Sequence, residues 1–175
     1  MKRITALALS LIMILCAVCA LAEDTGKTEI GTLKVGEAFS IQSKIPEGYS
    51  YMPITATELN MVGILSAGEG KPAVYISIAY NEDYEGVERF NDVDEATVED
   101  IRNHFLEEDE EVTFEDLETA FGTRLLKVTG DGFVDIYTIY KSHELEFVLT
   151  GDALSDADVQ MLVDFIGDMD FVTVE

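Results

Sequence analysis

Apolar residues alternate with polar ones over several short stretches of this chain, and a period of two predicts strands. Ala38-Phe39-Ser40-Ile41-Gln42 is the first. Ile45-Pro46-Glu47-Gly48 then reads as a turn, because proline presets φ and glycine accepts a positive φ. Tyr49 to Thr55 predicts a second strand, confined to a sheet edge or cut short by Pro53. Met61 to Ala67 and Ala73 to Tyr80 are two more, joined by Gly68-Glu69-Gly70-Lys71-Pro72, a sequence suited to a hairpin. In the second of these, Val74, Ile76, Ile78 and Tyr80 share one face, while Tyr75, Ser77 and Ala79 share the other.

The period then changes. Val98, Ile101 and Phe105 recur at helical spacing, Asp94 is suited to an N-cap, and Val93 is placed to pack on Val98. These signals predict a helix from about Glu95 to Glu108. Strand patterns return over Val112–Glu118, Gly122–Thr129, Phe133–Lys141 and Glu144–Thr150. The short turns between the last three predict an antiparallel meander. Phe133–Lys141 has apolar residues on both faces, which suggests a central strand covered on two sides. Ser155 caps a second helix whose stripe is Val159, Leu162, Val163 and Ile166, with Gly167 as its stop. Phe171 to Val174 reads as a short closing strand.

The first 22 residues follow a different rule. Lys2 and Arg3 precede an apolar run from Ile4 to Leu21, which ends in Ala20-Leu21-Ala22 before Glu23 and Asp24. A basic start, an apolar run and a small-x-small end form the secretory pattern. We read residues 1–22 as a cleavable signal peptide, with a retained anchor as the alternative, and 23–37 as a polar, flexible lead-in. Residues 38–175 are then one α+β domain: an antiparallel sheet packed by two main helices, in the manner of an α/β/α sandwich. Both cysteines, Cys16 and Cys19, lie in the export segment, so the mature chain relies on its core rather than on disulfides.

Composition narrows the partners. The chain carries 11 basic and 35 acidic residues, a formal net charge of −24. Such a field repels phosphates, which argues against nucleic acid and anionic membrane surfaces as partners and leaves nonspecific attraction for divalent cations. Residues 81–118 alone hold 17 of the acids. The densest run, Glu107-Glu108-Asp109-Glu110-Glu111, reads as a solvated helix exit. A calcium loop is the alternative, but Asp92-Val93-Asp94-Glu95-Ala96-Thr97 has threonine where the turn needs glycine.

Phe39-Ser40-Ile41, Ile45-Pro46-Glu47-Gly48-Tyr49, Gly122-Thr123-Arg124, the Phe133–Thr150 hairpin and the last helix ending in Asp170-Phe171-Val172 together resemble Mog1/PsbP-like domains. The resemblance spans most of residues 38–172. Tyr49 stands where a tryptophan is usual, and the chain has no tryptophan at all. The resemblance implies an adaptor or accessory binding protein and transfers no catalytic set.

Direct signs of chemistry are few. Beyond residue 22 there is no cysteine, and no Gly-x-Ser-x-Gly elbow occurs. His104 falls near the end of the first helix, where an imidazolium suits the dipole, and His143 falls in a turn. His104 with Glu107 or Glu108 has the spacing of two metal ligands, but no third is visible. Gly63 and Gly68 have a phosphate-loop interval, but Glu69 occupies the lysine position and the flanks read as strands. The expectation is therefore a non-catalytic domain without a cofactor or specific metal. It binds a protein, peptide or small ligand through tyrosines, with Tyr49, Tyr51, Tyr75, Tyr137 and Tyr140 as candidates. A calcium-stabilised surface module and a carboxylate-dependent hydrolase are the alternatives.

Overall fold

The computed structural model describes residues 26–33, 35, 38–54 and 60–174. Strands make up 45% of it and helices 22%. Among the described residues ten strands form two antiparallel sheets. The smaller contains β1 (Thr28–Leu33), β2 (Phe39–Ser43) and β10 (Asp170–Thr173), with β2 in the centre. The larger runs in the order β3-β4-β5-β9-β8-β7-β6. Its strands are β3 (Ser50–Pro53), β4 (Met61–Ser66), β5 (Ala73–Tyr80), β6 (Thr113–Glu118), β7 (Arg124–Gly130), β8 (Phe133–Tyr140) and β9 (His143–Thr150). Two α-helices accompany them among the described residues, α1 (Glu95–Glu108) and α2 (Asp156–Gly167).

This arrangement overturns the α/β/α sandwich of one sheet and two helices. Period-two patterning identifies strands but says nothing about which edges pair. Phe171 to Thr173 could equally have extended the meander. Instead β10 returns after α2 to pair with β2, Phe171 opposite Ile41. β1 pairs on the other side of β2, so part of the stretch read as a lead-in is a strand, with Ile30 and Leu33 buried. The second sheet therefore does much of the covering that the sequence assigned to helices. The predicted export segment lies outside the described residues.

The alternation along each strand divides the core in two. On the inner face, Leu65, Val74, Ile76, Leu125, Ile136, Leu145, Phe147 and Leu149 pack with β1, β2 and the apolar stripe of α2. On the outer face, Leu126, Val128, Tyr137 and Ile139 pack with Val98 and Ile101 of α1 and with Phe90. β8 serves both cores and is buried at Val134 through Ile139, as its two-sided apolar pattern implies.

Local signals explain the helix ends. Asp94 accepts the Thr97 amide at 2.9 Å, and Ser155 and Asp158 form a reciprocal capping box. α1 is tied to the sheet by two arginines. Arg102 donates to Asp116 at 2.7 Å, and Arg124 reaches Asp116 at 3.0 Å and Glu95 at 2.9 Å. Lys141 and Ser142 make the β8–β9 turn with φ of 47° and 61°, the left-handed pair that a two-residue hairpin requires. This starts β9 at His143 and sets which of its residues face outward.

If the small sheet is integral to the core, Ile41→Ala, at a side chain 1% exposed, costs about 2–5 kcal/mol in urea unfolding. Val172→Ala, on the exposed side of the neighbouring strand, costs less than about 0.5 kcal/mol. Equal, small losses at both positions would show that the small sheet is peripheral.

Candidate functional site

The large sheet's outer face is not covered evenly. One row of directly opposed residues crosses six interstrand pairings: Met52, Ile64, Tyr75, Val148, Asp135, Val128, Phe114. At one end Val128 and Phe114 lie beneath α1, within the outer core. At the other end Met52, Ile64, Tyr75 and Val148 belong to neither core, and Met52 is 56% exposed. The helix therefore leaves a four-residue apolar row outside both cores, exposed at Met52 and half-buried at Ile64, Tyr75 and Val148.

Asp135 stands at the boundary between the two halves. It is 4% exposed, and its Oδ1 has no hydrogen-bond partner. Burial pushes its carboxyl up from an ordinary value near 3.8 to about 7; the charge of Glu146 adds to the rise, and a backbone hydrogen bond from Phe147 offsets part of it.

The next row along the sheet places Ser77, Glu146 and Tyr137 side by side. Tyr137 is 2% exposed. Its hydroxyl donates to Glu144 Oε1 at 3.0 Å, and Asn81 Nδ2 donates to the same oxygen at 3.1 Å. Burial raises the Tyr137 hydroxyl, with Glu144 adding to the shift, so it remains a proton donor at all ordinary pH values. Tyr84 is hydrogen-bonded to Tyr137 and raised by burial as well.

These groups surround a cleft of about 700 Å3 between α1 and the sheet, within the range of small-ligand sites. Its acids come from three directions: Asp83 precedes α1, Asp100 and Asp109 lie on and after it, and Asp135, Glu144 and Glu146 line the sheet side. His104 lies on the helical wall, and Phe105 and Phe133 add ring surface.

The five tyrosines named from sequence do not meet. Tyr137 is at the cleft, largely sealed. Tyr75 is in the open apolar row, and with Tyr49 it lines a shallow depression beside the β4–β5 hairpin. Tyr51 turns to the other side, where its hydroxyl reaches the carbonyls of Ile30 at 2.5 Å and Val62 at 3.0 Å. Its ring lies over Gly63, where any Cβ would overlap it, so that glycine is fixed by close approach. Tyr140 stacks on Phe171 with ring centres 3.5 Å apart, joining the two sheets. A single tyrosine-lined groove is therefore absent among the described residues.

The other candidates have local roles. His143 is buried, with Nδ1 2.7 Å from the Lys141 carbonyl. Asp109 caps α1 and accepts the Glu111 amide at 2.9 Å. The glycines from 63 to 70 belong to the β4–β5 pair and its turn. No three His, Asp or Glu groups gather as metal ligands do among the described residues. No described helix is long and apolar enough to cross a membrane.

Asp135, Glu144 and Glu146 escaped the sequence reading. Glu144 and Glu146 are the polar members of an alternating strand, a pattern that carries no mark of function. The signal for Asp135 was present: one carboxylate in the middle of a strand apolar on both faces. No protein-family model matches the chain, and no curated protein matches it. The resemblance to Mog1/PsbP-like domains adds no residue to the site.

Asp135 makes stability depend on pH. Its folded pKa lies above its unfolded one, so its contribution is fully present below about 3.8 and lost as pH rises through about 7. Asp135→Asn removes the cost of ionisation. At pH 8 the variant is expected to exceed the native protein in urea unfolding, by up to about 4 kcal/mol, and the gain shrinks toward zero near pH 4. A variant that is less stable at pH 8 would show that the carboxylate is compensated in the folded state.

Proposed function

We propose that this protein is an exported, non-catalytic binding domain, and that the open half of the outer sheet face receives its partner. The observation that carries this reading is the row Met52, Ile64, Tyr75 and Val148, apolar and outside both cores. An apolar row on a rigid sheet offers contact area at little entropic cost, because its side chains are already set by the strands. The acidic cleft begins at the end of that row, so the surface pairs apolar area with negative charge. Export is carried by the amino-terminal pattern, and the strongly acidic composition suits solubility outside the cell.

The hydrolase alternative draws on Asp135, an acid raised to about 7 beside Glu146. A general acid must touch the leaving group. Asp135 Oδ1 is sealed from solvent, which favours binding over hydrolysis.

The binding reading is tested by capture from the organism's own envelope and medium on the immobilised protein. Met52→Asp and Tyr75→Ser alter the open row at exposed or half-exposed positions, where the expected loss of stability is small. A specific partner should be retained by the native protein and reduced at least about tenfold on either variant. Identical capture by all three proteins would rule the row out as the docking surface.

A further inference from the structure

We propose that the cleft takes up the ammonium or guanidinium group of a basic peptide segment, seated against Glu144 and Glu146 above Asp135, and that its arrival expels the Asp135 proton to solvent. The proposal rests on the reading of the outer face as a binding surface. Its own support comes from the cleft, whose lining lies outside the apolar row except at Val148.

The first support is the floor. Asp135 is buried with an unpartnered Oδ1, in a strand position where an apolar residue would pack without cost. Among the described residues no lysine or arginine lines the cleft beside it. The groups that face it across the cleft are Glu144 and Glu146 from β9, Tyr137 from its own strand, Asp100 and His104 from α1, and Asp83, Tyr84 and Asp109 from the flanking segments. All but His104 and the two tyrosines are carboxylates. The cleft lining is therefore predominantly acidic, which favours a cation as its guest.

The second support is shape and lining. A volume of about 700 Å3 exceeds what a bare metal ion occupies and suits a long side chain with part of its backbone. Phe105, Phe133 and Tyr84 supply rings, and a cation near ring faces gains from the quadrupole. The third is continuity. Val148 of the open row is the direct cross-strand neighbour of Asp135, so a peptide lying on the row reaches the cleft with its next long side chain. Asp135 need not be touched. In a site of low dielectric, a cation at the rim favours its ionised form across several ångströms. By linkage, a ligand that favours the ionised acid binds more tightly where the acid is already ionised.

The test titrates the protein by calorimetry with a blocked peptide of alternating leucine and arginine. The same peptide with citrulline in place of arginine removes the charge and keeps the shape. At pH 8 and about 0.15 M salt, the arginine peptide is expected to bind at least about tenfold more tightly than the citrulline peptide. Near pH 6, titrations in buffers of different ionisation enthalpy should report release of up to about one proton per peptide. Asp135→Asn should abolish that release, weaken the arginine peptide at least about fivefold at pH 8, and flatten its pH profile. Glu47→Gln, at an exposed site away from the cleft, should change none of these. Equal affinity for the two peptides would overturn the proposal. So would proton release unchanged in Asp135→Asn, or displacement of the arginine peptide by calcium chloride beyond a sodium chloride control of equal ionic strength. Loss of citrulline-peptide binding on Met52→Asp reports on the apolar row alone, and separates failure of the cleft from failure of the face.

Discussion

Packing of the small sheet and α2 against the inner face of the seven-stranded sheet is the interaction on which the rest of this structure depends. Leu65, Val74, Ile76, Ile136, Leu145, Phe147 and Leu149 point to that side, and Ile30, Leu33, Phe39 and Ile41 meet them from the second sheet. No disulfide is present among the described residues, so burial of these faces must offset the entropy of ordering the chain. Once the inner face is sealed, the period of two leaves every second residue of the same strands facing outward. The outer face is thus held in register by an inner core to which its own side chains contribute almost nothing.

That division explains why the outer face can be left half open. α1 covers the side of β6, β7 and β8, where Leu126, Val128 and Ile139 need it. Its arginine ties through Asp116, with Arg124 also over the Phe90 ring at 5.4 Å, hold it at that side. Each exposed ion pair is worth little alone. Their role is to fix the position of a helix that is itself strongly acidic. The boundary of the helix then falls across β8 and β9, and Asp135 is caught there: under enough cover to lose water, with too little polar company to replace it.

Most individual elements were legible in the sequence. Asp94 and Ser155 announced the helix starts, and the alternation in Ala73–Tyr80 and Glu144–Thr150 announced strands that pair along their full length. Pro53 was correctly read as an edge signal, since β3 is the outermost strand of the large sheet and ends there. The assembly was not legible. Nothing local in Asp170–Thr173 distinguishes pairing with β2 from extension of the meander, because the choice is made by contacts such as Phe171 on Tyr140, some thirty residues apart in sequence. The tyrosines misled for a related reason. Residue type shows that a side chain has area and a polar tip, but its face is fixed by register, and register sent Tyr75 and Tyr137 to the outer face and Tyr51 and Tyr140 to the inner.

The uneven spread of acids gains a meaning from this geometry. Residues 81–118, which hold 17 of the 35, build α1, the turns before it and β6. These elements line or flank the outer face and none belongs to the small sheet. Acids therefore gather on the outer-face side of the large sheet, where Asp83, Asp100 and Asp109 line the cleft with Asp135, Glu144 and Glu146. Burial, and after it the charge of Glu146, makes ionisation of Asp135 harder, and the acidic surroundings favour a cation. An acid that keeps its proton up to about neutrality follows from its place at the edge of a partial cover, beside Glu146.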